Sequence, residues 1–388
     1  MFINFAIIIT AYLFLSFILT LPFHLKTKLI LLAVTFLFSG RIAILRYFYG
    51  GLGGIEAPKA VLFITSFLQN IAILLFVLVL IRDILWLLSF IVSKISSRNL
   101  YAYLRAPRAA LTLLTLASIL SLVGLIGASR VPPVVKSEVV VNRWPLALDG
   151  FKVAVMADWH ISKFFDRAWV QKSVEAIMEQ KPELILLPGD LVDGSVEARA
   201  PDVEPLASLK APYGVYACMG NHEYISEALR WLPVFKRLGI DMLYNSHVVL
   251  SLRGTSLILA GVTDVTAQSR RYNLPGPDLK KALEGSPTDP VVVLLEHRPV
   301  RAKENSKNSR IILQFSGHTH GGMMPLLSSL VALSNDNYVR GWYQTGSLTL
   351  FVQPGLGLWS GFPVRLFYPN EISLLTLRSP QAVSQIKG

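Results

Sequence analysis

The sequence predicts an N-terminal all-α bundle of transmembrane helices followed by an α/β domain. The first 130 residues contain four apolar runs of about 20 residues each, whereas the remainder alternates short β-rich runs with helical stretches. Basic residues are concentrated at the start, because residues 1–130 hold eleven Lys and Arg against two Asp and Glu. The 388-residue chain is 52% hydrophobic and 16% charged, which excludes an intrinsically disordered protein.

The apolar runs have the length that a membrane requires, since a helix of about 20 residues crosses a hydrocarbon core. The runs are Phe2–Leu21, Leu29–Tyr49, Ala60–Ile81 and Ala109–Ala128. Each is apolar on all sides, which is typical of helices that face lipid. The second is the weakest, because Arg41 and Arg46 interrupt its C-terminal half. We therefore expect residues 1–130 to form a membrane domain with about four transmembrane helices.

Basic residues also indicate how a multi-pass protein of the cell membrane is oriented, because cytoplasmic loops carry more Lys and Arg. Their numbers on the two sides of the four predicted spans are nearly equal. The cluster at residues 94–108 contains four basic and no acidic residues, which slightly favours an exoplasmic C-terminal domain. The side of the membrane stays open at this point.

The segment 131–150 contains Pro132, Pro133 and Pro145, which predicts an extended linker. From residue 151 to residue 388, apolar strands alternate with helical stretches, as in a layered α/β domain. The chain has one cysteine, Cys218, which excludes an internal disulfide and a cysteine-based metal site. Cys218 lies in an apolar strand and is expected to belong to the core.

Polar residues that can bind metals follow five of the predicted strands. These blocks are Asp158-Trp159-His160, Gly189-Asp190-Leu191-Val192-Asp193, Gly220-Asn221-His222-Glu223, Glu296-His297 and Gly317-His318-Thr319-His320. Active sites of open α/β sheets lie at the carboxyl ends of the strands. Imidazole and oxygen donors without thiolate suit manganese, iron or zinc. The set is too large for one tetrahedral ion, so it predicts two divalent metal ions, with Asp190 as the candidate bridging carboxylate.

The five blocks together, in this order, resemble the calcineurin-like metallophosphoesterase superfamily over roughly residues 150–376. The later segments Tyr338–Tyr343, Gly355–Gly357 and Glu371–Ile372 resemble its bacterial membrane-anchored subgroup, some of whose members are UDP-diacylglucosamine hydrolases. The resemblance implies a sandwich of two central sheets flanked by helices over residues 151–388. Trp159 and Met323 depart from the residues common in the family, but neither is a ligand.

The resemblance also implies a role for each residue. The first metal would be held by Asp158, His160, Asp190 and His320, and the second by Asp190, Asn221, His297 and His318. His222 would be the catalytic residue that donates a proton or hydrogen bond to the leaving oxygen. Asp193 is expected to orient ligands through hydrogen bonds. Glu223 could be a loop carboxylate only, and Asp264 is expected to be a turn residue.

These residues predict a metal-dependent phosphoric ester hydrolase, in which a metal-bridging hydroxide attacks a phosphate ester or pyrophosphate bond. A lipid-linked substrate fits the membrane anchor. One alternative is a metal-binding membrane scaffold or regulator without turnover, although no ligand is missing. Another is a nuclease, but the C-terminal domain lacks a strong basic run, so nucleic acid is not expected as a partner. The apolar run Met323–Leu333 is either an ordinary core element or a lipid-facing lip beside the site.

Overall fold

The computed structural model describes residues 2–51, 53–93, 104–269 and 271–386, so Lys94 and Arg98 of the basic cluster at 94–108 lie outside the described residues. Contacts divide the chain into two compact units. The helical unit comprises Met1–Gly50, Ile55–Gly127 and Ser360–Leu366, and the α/β unit comprises Gly51–Gly54, Ala128–Trp359 and Phe367–Gly388. Each unit therefore includes a short segment from the other part of the sequence.

The helices of the first part of the chain are α1 (Phe2–Ser16), α2 (Leu25–Ser39), α3 (Arg41–Tyr49), α4 (Lys59–Ser93) and α5 (Pro107–Ser129). Among the described residues, three stretches are long and apolar enough to cross a membrane, namely Ile3–Thr20, Lys59–Ser93 and Pro107–Ser129. The second predicted run is broken, because α2 and α3 meet at an angle of 64°. If that bent pair forms one span, the number of candidate spans is four.

Arg41 and Arg82 are buried in the helical unit, and both are hydrogen-bonded there. Arg41 donates from Nε to Thr65 Oγ1 over 2.8 Å and from Nη1 to the Ser360 carbonyl over 2.9 Å. Arg82 forms an ion pair of 2.8 Å with Asp83. Tyr12 completes this group by donating its hydroxyl to the Asp83 carboxylate over 2.9 Å. Buried charges inside apolar helices are costly unless they are paired in this way.

The α/β unit contains two six-stranded mixed sheets. The strands are β1 (Val134–Val140), β2 (Phe151–Val155), β3 (Leu184–Pro188), β4 (Val215–Cys218), β5 (Asp241–Met242), β6 (Ser246–Leu252), β7 (Thr255–Gly261), β8 (Val292–Leu295), β9 (Ile311–Ser316), β10 (Gly341–Thr345), β11 (Leu348–Val352) and β12 (Ile372–Arg378). The strand order is β1-β12-β2-β3-β4-β5 in one sheet and β10-β11-β9-β8-β7-β6 in the other. Buried side chains of both sheets, among them Val155, Cys218, Leu259 and Phe315, form one apolar core.

Helices flank the two sheets, which confirms the predicted fold class. They are α6 (Arg167–Met178), α7 (Val196–Val203), α8 (Asn221–Ile225), α9 (Ala228–Arg237), α10 (Leu279–Ala282), α11 (Ala302–Asn305), α12 (Pro325–Ser334) and α13 (Pro380–Ile386). The local sequence explains why α6 begins where it does, since Asp166 caps the helix by accepting the Trp169 N–H over 3.3 Å. Its buried residues, such as Trp169 and Ile177, then lie on one face.

The segment expected to be an extended linker is extended but also belongs to a sheet. Its residues Val134–Val140 form β1, which pairs in parallel with β12 from Val134↔Ile372 to Val140↔Arg378. β12 in turn pairs antiparallel with β2. Because β2, β3 and β4 are mutually parallel, as are β7, β8 and β9, their carboxyl ends meet at the same edges.

Candidate metal centre

The five polar blocks converge at the carboxyl ends of β2, β3, β4, β8 and β9, so both sheets contribute to one site. Five of the seven predicted ligands have a left-handed backbone with φ between 46° and 71°, namely Asp158, His160, Asp190, His318 and His320. This conformation is uncommon for residues other than glycine and costs roughly 1–3 kcal/mol at each position. The sharp turns direct the side chains back over the ends of the strands.

Three groups of side chains place potential ligand atoms within 4.8 Å of one another. They are Asp158 with His160 and His320, Asp190 with His297 and His318, and His160 with Asp193 and His222. Asp190 lies between the first two groups, because its Oδ2 is 3.1 Å from His297 Nε2 and 3.7 Å from His160 Nε2. Its Oδ1 accepts the His222 N–H over 2.7 Å. Asp190 thus lies within reach of histidines from both groups.

Hydrogen bonds determine which imidazole nitrogens are available to a cation. His297 Nδ1 lies 2.9 Å from the Pro188 carbonyl, which can only accept, so Nδ1 carries a proton. His160 Nδ1 lies 3.2 Å from Asp193 Oδ1, and the carboxylate fixes that ring in the same way. The Nε2 atoms of both rings therefore face Asp190, and each offers a metal ion a lone pair once it carries no proton.

Unpaired polar atoms support this interpretation. Among the described residues, His160 Nε2 and Asn221 Oδ1 are buried and have no hydrogen-bond partner. A buried polar atom without a partner is costly, and native proteins rarely retain one without a reason. Both atoms are typical ligands of divalent cations, so the donor set fits the predicted metals.

The electrostatics of the protein alone show a strong attraction for positive charge. Burial lowers the pKa of His297, but Asp190 and Asp158 outweigh it and raise that pKa to about 10. Burial and the neighbouring His297 lower the pKa of His318 to about 3. A proton on His297 therefore compensates the carboxylates, and a metal ion can take its place.

His222 is partly exposed, and its Nδ1 contacts the same Asp193 carboxylate as His160 Nδ1. Its Nδ1 lies 2.5 Å from Asp193 Oδ1. Burial lowers the pKa of His222, but Asp193 and Asp190 raise it to about 9. Burial raises the pKa of Asp193, whereas His222 and His160 bring it to about 2. Without bound cations these carboxylates favour a protonated imidazole, whose Nε2–H is not used by Asp193.

Glu223 was underestimated by the sequence interpretation, which left it as a possible loop carboxylate. Its buried carboxylate accepts backbone N–H groups of Gly220 over 2.7 Å, Asp190 over 3.0 Å and Leu191 over 2.6 Å. Glu223 therefore ties the loop after β3 to the loop after β4. The sequence feature that indicates this role is the position of Glu223 three residues after the N-cap Gly220, which is the capping-box spacing.

Two glycines make room where these loops cross. A Cβ at Gly220 would lie 2.2 Å from Asp190 Oδ1, and a Cβ at Gly189 would lie 2.7 Å from His297 Nδ1.

Asp264, which was expected to be a turn residue, accepts the Thr266 N–H in a turn and also accepts the Arg298 Nε–H over 2.7 Å. This ion pair therefore fixes the position of Arg298, the residue that follows His297.

Comparisons with known proteins identify the family to which the region containing these side chains is similar. Residues 151–322 match the family described as Calcineurin-like phosphoesterase. The chain is 33% identical over 257 residues to a "Transmembrane protein with metallophosphoesterase domain" of Danio rerio, a match that spans 65% of this chain and 58% of that relative. It is 32% identical over 359 residues to a Caenorhabditis elegans protein named as a metallophosphoesterase, spanning 89% of this chain and 73% of the relative. A solved dimetal phosphatase of Danio rerio overlaps 54% of this chain and 88% of its own at 12% identity, with a TM-score of 0.31, too low to support an inference.

Proposed function

Because the chain belongs to the calcineurin-like phosphoesterase family of metal-dependent phosphoester hydrolases, we propose that it is a membrane-anchored dimetal enzyme that cleaves phosphate esters or pyrophosphate bonds. The position of Asp190 carries this proposal. One of its oxygens lies between His160 and His297, which belong to two separate ligand groups. A carboxylate between two such groups is what a pair of closely spaced metal ions needs.

We assign the residues to two ions as the family resemblance implies. One ion is assigned to Asp158, His160, Asp190 and His320, and the other to Asp190, Asn221, His297 and His318. A bound pair of manganese, iron or zinc ions supplies the nucleophile and neutralises the charge on the phosphoryl oxygens. Asp193 positions His160 and His222 through its two hydrogen bonds.

His222 is assigned the proton transfer to the leaving group. Its Nδ1 is held by Asp193, so the ring cannot rotate freely and Nε2–H points away from that carboxylate. A leaving alkoxide gains charge as the ester bond breaks, and a positioned imidazolium stabilises it. The same residue distinguishes a hydrolase from a metal-binding scaffold, since binding alone needs no proton donor.

The membrane helices favour a lipid-linked phosphate ester as substrate. Three stretches of membrane-crossing length, or four with the bent pair, would make this a multi-pass protein of the cell membrane. Such an anchor confines the active site to a membrane surface, where lipid substrates are concentrated. The side of the membrane on which the site lies decides between nucleotide-linked lipids and envelope phospholipids.

Hydrolysis of an aryl phosphodiester and an aryl phosphomonoester by the purified full-length protein tests the proposal. We expect turnover with added manganese, and in Asp190→Ala a loss of at least about a thousandfold together with reduced metal content. Asp289→Ala, which removes an exposed carboxylate, is the matched control and should keep both. Turnover that survives in Asp190→Ala would contradict the site, and a fully metallated but inactive protein would favour the scaffold.

A further inference from the structure

Helix α12 is apolar but contributes no buried residue to the described structure. Leu326, Leu330 and Leu333 are 56%, 63% and 80% exposed, and their spacing places them along one side of the helix. Helix α9 has the same length but buries Trp231 and Phe235. Met323 and Met324 at the start of the run are buried, whereas α12 itself is not a core helix, and the alternative of a lipid-facing lip needs separate support.

Both ends of the segment that carries α12 are fixed to the candidate metal centre. At its start, Gly322 has no room for a Cβ, which would lie 2.5 Å from Ser328 Oγ. At its end, Thr319 donates its hydroxyl to the Val339 carbonyl over 2.6 Å, and Arg340 donates Nη1–H to the Gly321 carbonyl over 2.8 Å. The segment 323–340 therefore begins directly after the block that contains His318 and His320, and its last two residues are hydrogen-bonded to that block.

Arg340 adds an exposed positive charge at this point. Its guanidinium lies 3.5 Å from the centre of the Tyr368 ring, and across the described ranges no carboxylate oxygen lies within 4.0 Å of it. One N–H is used by Gly321, so further donors remain for an anion. The neighbouring Phe367 is 79% exposed. Exposed leucines next to a cation without an acidic partner are typical of surfaces that bind anionic lipid.

We propose that residues 323–340 are the lipid-recognition segment of this enzyme. The leucine face of α12 binds the acyl chain of a lipid phosphate ester, and Arg340 binds an anionic lipid headgroup beside it. The proposal rests on the proposed function and names its substrate class. A lipid is favoured over a protein partner because the same chain carries helices of membrane-crossing length, and because the segment that carries the exposed leucines also carries Arg340, whose guanidinium has no carboxylate partner among the described residues.

Aryl phosphodiesters that differ only in their alkyl group provide the test, since the leaving group stays constant. In full-length protein at fixed detergent, kcat/KM should rise at least about tenfold from the methyl to the dodecyl ester, because burial of each added CH2 favours binding. In the double variant Leu326→Glu, Leu330→Glu, the dodecyl ester should fall to the level of the methyl ester, while the methyl ester stays within about twofold of wild type. Leu229→Glu, at an equally exposed leucine of α9, should behave as wild type.

A separate measurement, the KM in micelles of different charge, tests the role of Arg340. With the dodecyl ester, micelles that contain phosphatidylglycerol should give a lower KM than micelles that contain phosphatidylcholine. Arg340→Gln should remove this difference, Arg340→Lys should keep part of it, and Arg271→Gln should keep all of it. Arg271 is a suitable control because it too is exposed beside a tyrosine ring, at 5.3 Å from Tyr272.

Binding of a fluorescent dodecylphosphonate, followed by anisotropy, separates this proposal from the proposed function. Binding that is lost in the double leucine variant supports lipid recognition even if no ester is hydrolysed, in which case only the proposed hydrolase is contradicted. Equal loss of methyl and dodecyl turnover in that variant, or wild-type turnover that does not depend on chain length, would overturn the proposal and leave the hydrolase standing.

Discussion

The helical unit and the α/β unit both bury charged groups, but they satisfy them differently. In the helical unit, Arg41 and Arg82 are bonded to hydroxyl and carbonyl oxygens and to Asp83. In the α/β unit, carboxylates and imidazoles converge and leave His160 Nε2 and Asn221 Oδ1 without hydrogen-bond partners among the described residues. Buried polar atoms without a hydrogen-bond partner also occur in the helical unit, among them Ser66 Oγ and Asn70 Oδ1, so it is the convergence of carboxylates and imidazoles that marks the candidate binding site.

Metal removal should have the largest effect and should affect only one of the two units. Chelation is expected to abolish hydrolysis, because the carboxylates lose the cations that bring them together, and added manganese should restore it. Hydrogen exchange should accelerate in the loops at 157–160, 189–193 and 317–322 and stay unchanged in α1 and α4. Equal acceleration in both units would show that the metals stabilise the whole chain rather than the site.

Replacement of His222 should separate catalysis from metal binding. In His222→Gln, kcat is expected to fall about 10²–10⁴-fold because the leaving oxygen loses its proton donor. Metal content should stay at the wild-type level, since His222 is not assigned to either ion. Plasma emission measurements on the purified variant check the metals, and the replacement of exposed His24 by Gln serves as the control. A loss of metal in His222→Gln would instead make it a ligand.

Replacement of Glu223 tests how far the site depends on the hydrogen bonds that fix the backbone of its loops. In Glu223→Gln, an amide N–H₂ replaces one of the oxygens that accept from Gly220, Asp190 and Leu191, and we expect the free energy of unfolding of the α/β unit to fall by about 1–3 kcal/mol. Metal affinity should weaken as well, because Asp190 lies on one of the loops that it joins. Denaturant titration measures the first effect, with the exposed Glu284→Gln as the control.

The site was largely predictable because its residues directly follow strands, and strand ends in an α/β sheet meet at an edge whatever the details of the fold. Sequence blocks therefore located Asp158, Asp190 and His297 without any knowledge of the sheet order. The role of Glu223 was less apparent, because it acts through backbone groups that no side-chain pattern specifies. The fold class was predictable for a similar reason, since apolar periodicity is a local property.

What the sequence did not reveal depends on contacts between distant segments. β1 lies in a proline-containing stretch, and its pairing with β12 joins residues more than two hundred positions apart. The segment Ser360–Leu366 belongs to the helical unit, where Asn70 donates to the Pro363 carbonyl over 3.0 Å and the Gly124 carbonyl accepts the Arg365 N–H over 2.9 Å. No local pattern in that segment distinguishes it from an ordinary surface loop.

The Arg82–Asp83 pair should have the smallest effect on hydrolysis, and it tests the other half of the comparison. Asp83→Asn leaves Arg82 buried without its carboxylate, so we expect the helical unit to lose about 1–3 kcal/mol of stability in detergent. Hydrolysis of the methyl aryl ester should not change, because this pair holds helices and binds no substrate. The double variant Arg82→Met, Asp83→Leu removes both charges and should recover most of that stability, since a buried ion pair contributes little beyond an apolar pair of similar volume. If the double variant were less stable than Asp83→Asn, or if either variant lost hydrolysis, the buried charges of the helical unit would have a function beyond packing.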